Sequence, residues 1–153
     1  MPTISNPGTL EQLLQRLRRL TPDSERRWGT MTPGEMLCHL GDASDGVLGR
    51  RKPPGIENRK VLPLPVVWVL LYTPLPFPKG VETRSGVNPK KEGTRPGNFE
   101  QDRARVLSGL QGLAVAPAEA LPQTHFRFGK MSLRAWHHWA FKHVDHHLRQ
   151  FGL

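Results

Sequence analysis

The chain has 153 residues, with 22 Lys and Arg against 13 Asp and Glu, 7 histidines and 1 cysteine. That length suits one domain, spanning 1–153, with its own core; the lone Cys38 excludes an internal disulfide and fits a reducing compartment. The formal charge of +9 invites a nucleic-acid reading, but the basic residues are scattered from Arg16 to Arg105 and no stripe alternates them with exposed aromatics, so nucleic-acid contact is not the expectation.

The opening stretch, MPTISNPGTLEQLL, lacks a basic segment followed by an apolar run, so no secretory signal is expected. Residues 9–20, TLEQLLQRLRRL, read as a first helix. Thr9 and Gln12 have the spacing of a capping box, and Leu10, Leu13, Leu14, Leu17 and Leu20 form one apolar stripe. Thr21-Pro22 ends it.

Residues 32–48 read as a second helix. Thr32 is its N-cap, Pro33 stands at the first helical position and Glu35 closes a capping box. Met36, Leu40, Ala43 and Val47 mark its inner face, with His39 beside them. Gly41 and Gly46 weaken the helix and offer close approach to another backbone. Cys38 points about 100° away from His39 on a helix, so it reads as a small buried hydrophobe rather than a co-ligand.

A basic loop, residues 49–62, follows. The apolar run from Val61 to Pro78 is cut by prolines to Val66–Tyr72, well short of the roughly 20 residues a membrane span needs. No membrane contact is expected, a cytoplasmic location is the default, and residues 64–73 suit a short extra helix. Residues 74–97 form a loop long enough to be functional.

Asn98 caps a further helix with Phe99, Val106, Leu110 and Leu113 at helical spacing, and Glu100 and Asp102 complement its N-terminus. Residues 116–131 return to loop. Ser132 caps the last helix, which runs to about Phe151 before Gly152 stops it. With no internal repeat and no sustained alternation, the fold class is all-α: a four-helix bundle with long connecting loops and a short extra helix.

The last helix holds five of the histidines: His137, His138, His143, His146 and His147. Its apolar stripe carries Leu133, Trp136, Ala140 and Phe151, and His143 and His147 lie on that stripe. His138 and Asp145 point to the opposite side, and His146 flanks the pair. Imidazoles at i and i+4 are helix neighbours that can chelate one ion. There is no adjacent Glu of the HExxH kind, which argues against a zinc protease. Two inward imidazoles without partners are costly, at about 1–3 kcal/mol each, so their placement asks for a reason. His39 supplies a third imidazole from a facing helix, and three imidazoles with one open position is the arrangement of a catalytic zinc site. Nickel, iron and manganese also accept imidazole.

Three strings, RWGTMTPGEMLCHLGDA (27–43), HFRFGKMSLRAW (125–136) and HVDHHLRQFGL (143–153), together resemble a branch of the DinB/YfiT-like superfamily of metalloenzymes, a branch described as a domain of unknown function. The resemblance implies a four-helix bundle that binds a divalent ion through one histidine of the second helix and an H-x-x-x-H pair of the last. By position these are His39, His143 and His147, with zinc or nickel leading and iron or manganese as alternatives. It also implies a homodimer and a hydrolase or thiol-dependent transferase acting on a small molecule. One departure is Phe126, where the branch usually has proline after the histidine, which bears on the placement of His125.

His125 stands before the last helix as a candidate acid or base lining the mouth, with a structural loop histidine as the alternative. Asp42 is a candidate to orient an imidazole, as carboxylates do around metal ligands. Trp28, Trp136 and Trp139 read as core, with Trp136 also a candidate pocket wall. The functional expectation is a metal-dependent enzyme. The alternatives are a non-catalytic, metal-stabilised or interaction bundle and, behind it, a basic nucleic-acid-binding protein.

Overall fold

The computed structural model describes residues 1–51 and 61–153. Among these residues the helices are α1 (Pro7–Arg19), α2 (Pro33–Val47), α3 (Leu64–Tyr72), α4 (Phe99–Val115) and α5 (Leu133–Arg149). Single 3-10 turns stand at Ser85–Val87 and Ala118–Ala120. A short antiparallel ladder pairs β1 (Thr124–His125) with β2 (Gly129–Lys130), His125 opposite Gly129. The expected basic loop at 49–62 lies partly outside the described residues, which omit 52–60.

Local chemistry explains the boundaries. The expected box at Thr9 and Gln12 does not form, because α1 starts earlier: the Asn6 side chain accepts the Thr9 N–H at 2.9 Å and Pro7 takes the first turn. Asn is at least as good an N-cap as Thr, and Pro at the first position is pre-shaped for the helix. For α2 the box is complete, with Glu35 N–H donating to Thr32 Oγ1 at 3.2 Å and Thr32 N–H to Glu35 Oε2 at 2.8 Å. Asn98 and Ser132 cap α4 and α5 as expected. Gly152, at φ +75°, reverses the chain after α5 and lets Leu153 N–H reach the Leu148 carbonyl at 3.1 Å, so a terminal carbonyl is satisfied.

The leucine stripe of α1 packs inward, with Leu13, Leu14, Leu17 and Leu20 buried. It meets Met36, Leu37 and Leu40 of α2, Val106, Leu110 and Leu113 of α4, and Trp136, Ala140, Val144 and Leu148 of α5 in one core. The closest pairing is α2 on α4. Gly41 makes room for the Arg105 side chain and not for another backbone, and Gly46 faces open space, so neither glycine serves the close backbone approach expected of it. The short α3 rests on α5, held by buried Lys142, whose ammonium donates to the carbonyls of Leu70 and Thr73 at the end of α3. Among the described residues no helix is long and apolar enough to cross a membrane.

Candidate metal centre

Three histidines meet where α2 faces the C-terminal half of α5. Ring centroids are 5.0 Å apart for His39 and His143, 4.7 Å for His39 and His147, and 5.0 Å for His143 and His147. One ring nitrogen from each falls within 4.8 Å of the others. His39 and His147 are buried, and His143 keeps partial exposure, so the cluster is not sealed from solvent.

Hydrogen bonds fix which nitrogens remain free. The His39 Nδ1–H donates to the Val87 carbonyl at 2.8 Å, leaving Nε2 as a bare lone pair. The His147 Nδ1–H donates to Gln150 Oε1, also at 2.8 Å, which leaves its Nε2 bare as well. His39 Nε2 and His143 Nε2 stand 3.0 Å apart. Two lone pairs at that distance repel unless a proton or a cation lies between them. The donor set therefore fits a divalent ion: neutral imidazoles, oriented by hydrogen bonds on their far nitrogens, as ligating histidines generally are. Burial lowers the pKa of His39, and it pushes His143 and His147 well below the ordinary value, with the neighbouring histidines adding to the effect. The rings are held neutral, the form that binds metal.

The supports come from places a motif search passes over. Val87 lies in the 3-10 turn of the long loop between α3 and α4, so that loop helps to build the site through a backbone carbonyl. Every residue offers such a backbone carbonyl, and no sequence signal marks it. Gln150 was detectable in principle, standing three residues after His147 on the same helix face. Gly29 makes room for it: φ is +85°, and a Cβ there would stand 2.8 Å from the Gln150 amide nitrogen. The neighbouring Arg27 N–H donates to the Gln150 carbonyl at 2.7 Å.

The remaining candidates sit elsewhere. His125 is buried in an aromatic stack, 4.7 Å from Phe128 and 5.7 Å from both Trp136 and Trp139. Trp139 in turn stacks on His143 at 4.9 Å, so His125 and His143 contact the same indole. The His125 Nδ1 accepts backbone N–H groups of Arg127 and Phe128 at 3.1 and 3.3 Å. Burial, with Arg84 and Arg127 adding to it, pushes its pKa down to about 3. Its ring is thereby neutral, with the proton on Nε2.

Asp42 does not orient an imidazole. It is fully buried and accepts from Thr94 N–H at 2.7 Å and Thr94 Oγ1 at 2.6 Å, and it pairs with Arg51 and Arg105. Asp145 pairs with Arg16 and Arg149 at 2.7 and 2.8 Å. His138 is buried, not on an outer face, with Nδ1 3.2 Å from the Pro2 carbonyl and its ring 5.2 Å from Tyr72. The N-terminal segment and α3 cover the side of α5 that helical geometry alone assigns to solvent. Trp28 is not core: it is partly exposed and its ring meets His146 edge-on at 4.8 Å. Trp136 and Trp139 are buried as expected. Cys38 is buried and its thiol is pushed up to about 12 by burial and then by Asp102, so no thiolate is available there.

A helical bundle whose facing helices bring three neutral imidazoles together defines a protein with a candidate metal-binding centre in its core. The family model described as the DinB superfamily matches residues 6–151, and the chain belongs to that superfamily. No curated protein and no solved structure matches it.

Proposed function

We propose that His39, His143 and His147 hold one divalent ion, zinc or nickel ahead of iron or manganese, and that the protein is a metal-dependent enzyme acting on a small molecule. Hydrolysis and transfer to a small thiol are the two reaction classes in view. The observation that carries this reading is the convergence of three ring nitrogens within 4.8 Å, two of them on rings whose other nitrogen is already committed to a carbonyl acceptor. When bound, such an ion supplies Lewis acidity that makes a water or a thiol a better nucleophile at neutral pH. The chain's own residues do the rest. Val87 and Gln150 orient the rings, burial keeps them neutral, and Trp139 forms one wall beside His143.

His125 does not serve as a base in this reading. A ring with pKa about 3 and an occupied Nδ1 takes up no proton near neutrality. We assign it a positioning role, holding the β1–β2 turn and the aromatic stack against Trp139. A homodimer in a cytoplasmic setting belongs to the same proposal, and sedimentation of untagged protein tests the dimer.

The decisive measurement is the metal content of an untagged preparation. One ion per chain is expected, with affinity falling at least about 100-fold in His39→Ala and in His143→Ala. Stoichiometric metal retained by the double variant overturns the assignment. A second reading, a metal-stabilised interaction bundle, draws on the locked state of His125 and the engagement of Asp42 elsewhere, which leave His146, 5.2 Å from His147, as the remaining candidate histidine beside the cluster. It predicts that metal raises the melting temperature while the loaded protein turns over neither activated esters nor thiol acceptors.

A further inference from the structure

The α3 helix, LPVVWVLLY, has no charged residue on any side. Val67 and Leu71 face inward at 8% and 1% exposure, whereas Leu64 and Trp68 remain 80% and 59% exposed. A helix that is apolar all round is ordinarily covered on all sides, so its outer surface calls for an occupant. Alongside it opens a cleft of about 440 Å³, whose lining includes Leu64, Trp68, Leu71, Tyr72, Phe128 and Lys130. That volume lies in the range of small-ligand sites. Among the described residues Lys130 is the one charge on the lining, and the Arg134 guanidinium stands 5.7 Å over the ring of Tyr72. Neither cation pairs with a carboxylate among the described residues.

We propose that this cleft binds a single-chain amphipathic carboxylate, with its apolar chain along Leu64, Trp68, Leu71 and Phe128 and its carboxylate at Lys130 and Arg134. The charge pattern selects the ligand: an apolar trough calls for hydrocarbon, and two cations beside it, without a carboxylate partner among the described residues, call for an anion. Arg suits a planar carboxylate in particular, because its two N–H groups match the two oxygens. The concavity favours an entering molecule over a bilayer or a second copy of the chain, either of which would cover the convex outer side of α3 and leave the trough empty. The cleft is separate from the histidine cluster, and the proposal does not depend on metal binding.

The probe is decanoate, titrated well below its micelle concentration into the full-length protein and followed by tryptophan fluorescence and calorimetry. Saturable binding of one molecule per chain is expected, with the fluorescence change lost in Trp68→Phe. Affinity should rise about two- to fourfold per added methylene from octanoate upward and level off once the trough is full. Decanol should bind about fivefold or more weakly than decanoate. The double variant Lys130→Ala, Arg134→Ala should erase that difference without changing decanol affinity. Leu64→Asp should abolish binding while leaving the melting temperature unchanged, since that side chain is 80% exposed. Equal affinity for decanoate and decanol in the parent protein overturns the proposal. So does binding to anionic phospholipid vesicles without binding of free decanoate, which identifies a membrane as the occupant. A dimer that Leu64→Asp dissociates, with no decanoate uptake by the parent, overturns it in favour of a second copy.

Discussion

Gln150 shows how one side chain carries weight at the centre without joining it. It takes the Nδ1–H of His147 at 2.8 Å and thereby sets that ring's tautomer and angle. Gln150→Ala should lower metal affinity about 10- to 100-fold, read by competition with a chromophoric chelator. Gln150→Glu should restore most of it, because a carboxylate accepts the same hydrogen bond. Unchanged affinity in the alanine variant removes Gln150 from the support. Gly29 belongs to the same contact: its φ of +85° and the closeness of the Gln150 amide leave no room for a methyl group. Gly29→Ala should cost about 1–2 kcal/mol of stability and weaken metal binding in parallel.

The elements divide by how they are held. The α2–α4 pair is joined by packing and by a buried charge network, in which Asp42 at 0% exposure meets Thr94, Arg51 and Arg105. Burial alone would raise its carboxyl pKa, but the hydrogen bonds from Thr94, Arg105 and Arg51 outweigh it and hold the pKa below the usual range. Removing one partner strands the others, so Asp42→Ala should cost about 3 kcal/mol in urea denaturation. The short α3 is held differently, by Val67 and Leu71 inside and by the buried ammonium of Lys142 on its terminal carbonyls. A donor at that end also complements the helix dipole. Lys142→Met should loosen this helix before the rest, by about 1–3 kcal/mol, visible as faster amide exchange confined to α3. Uniform destabilisation of all the helices would show instead that α3 is an integral part of the cooperative unit.

Across the whole molecule, all 7 histidines have their pKa lowered, with burial the leading cause in each. Outside the cluster, His125, His137 and His138 suffice to set a direction. Below about pH 6.5 their unfolded counterparts take up protons that the folded rings refuse. The unfolded state then binds more protons, so stability is present above that pH and lost as pH falls through it. The slope is about 1.4 kcal/mol per pH unit for each histidine while it lies between its two pKa values. His125, at about 3, keeps contributing furthest into acid, and Asp42 acts in the same direction below the ordinary carboxyl range. Metal-free protein should therefore melt at a nearly constant temperature between about pH 7 and 8 and at falling temperatures below about 6.5. An unchanged melting temperature down to pH 5 would contradict the burial of these rings.

Residue patterns alone determined much of this protein. T-P-G-E marked the start of α2, Ser132 and Gly152 bounded α5, and the leucines of α1 and the spacing of His143 and His147 identified inward faces. Each is local: a cap, a turn or a helical period acts over a few residues, so a linear reading captures it. The same logic failed where distant segments compete for one surface. His138 looked solvent-facing because helical geometry does not show that Pro2 and Tyr72 cover it, and Asp42 looked like a partner for His39 until Thr94 and two arginines claimed its oxygens. Only the tertiary structure decided that Val87 holds His39, because a backbone carbonyl leaves no mark in sequence and its position depends on how a long loop folds back. Tertiary structure also decided that His125 stacks among Phe128, Trp136 and Trp139 and is not one of the three converging rings. Proximity between segments tens of residues apart is set by the packing of the whole core, which no local pattern encodes.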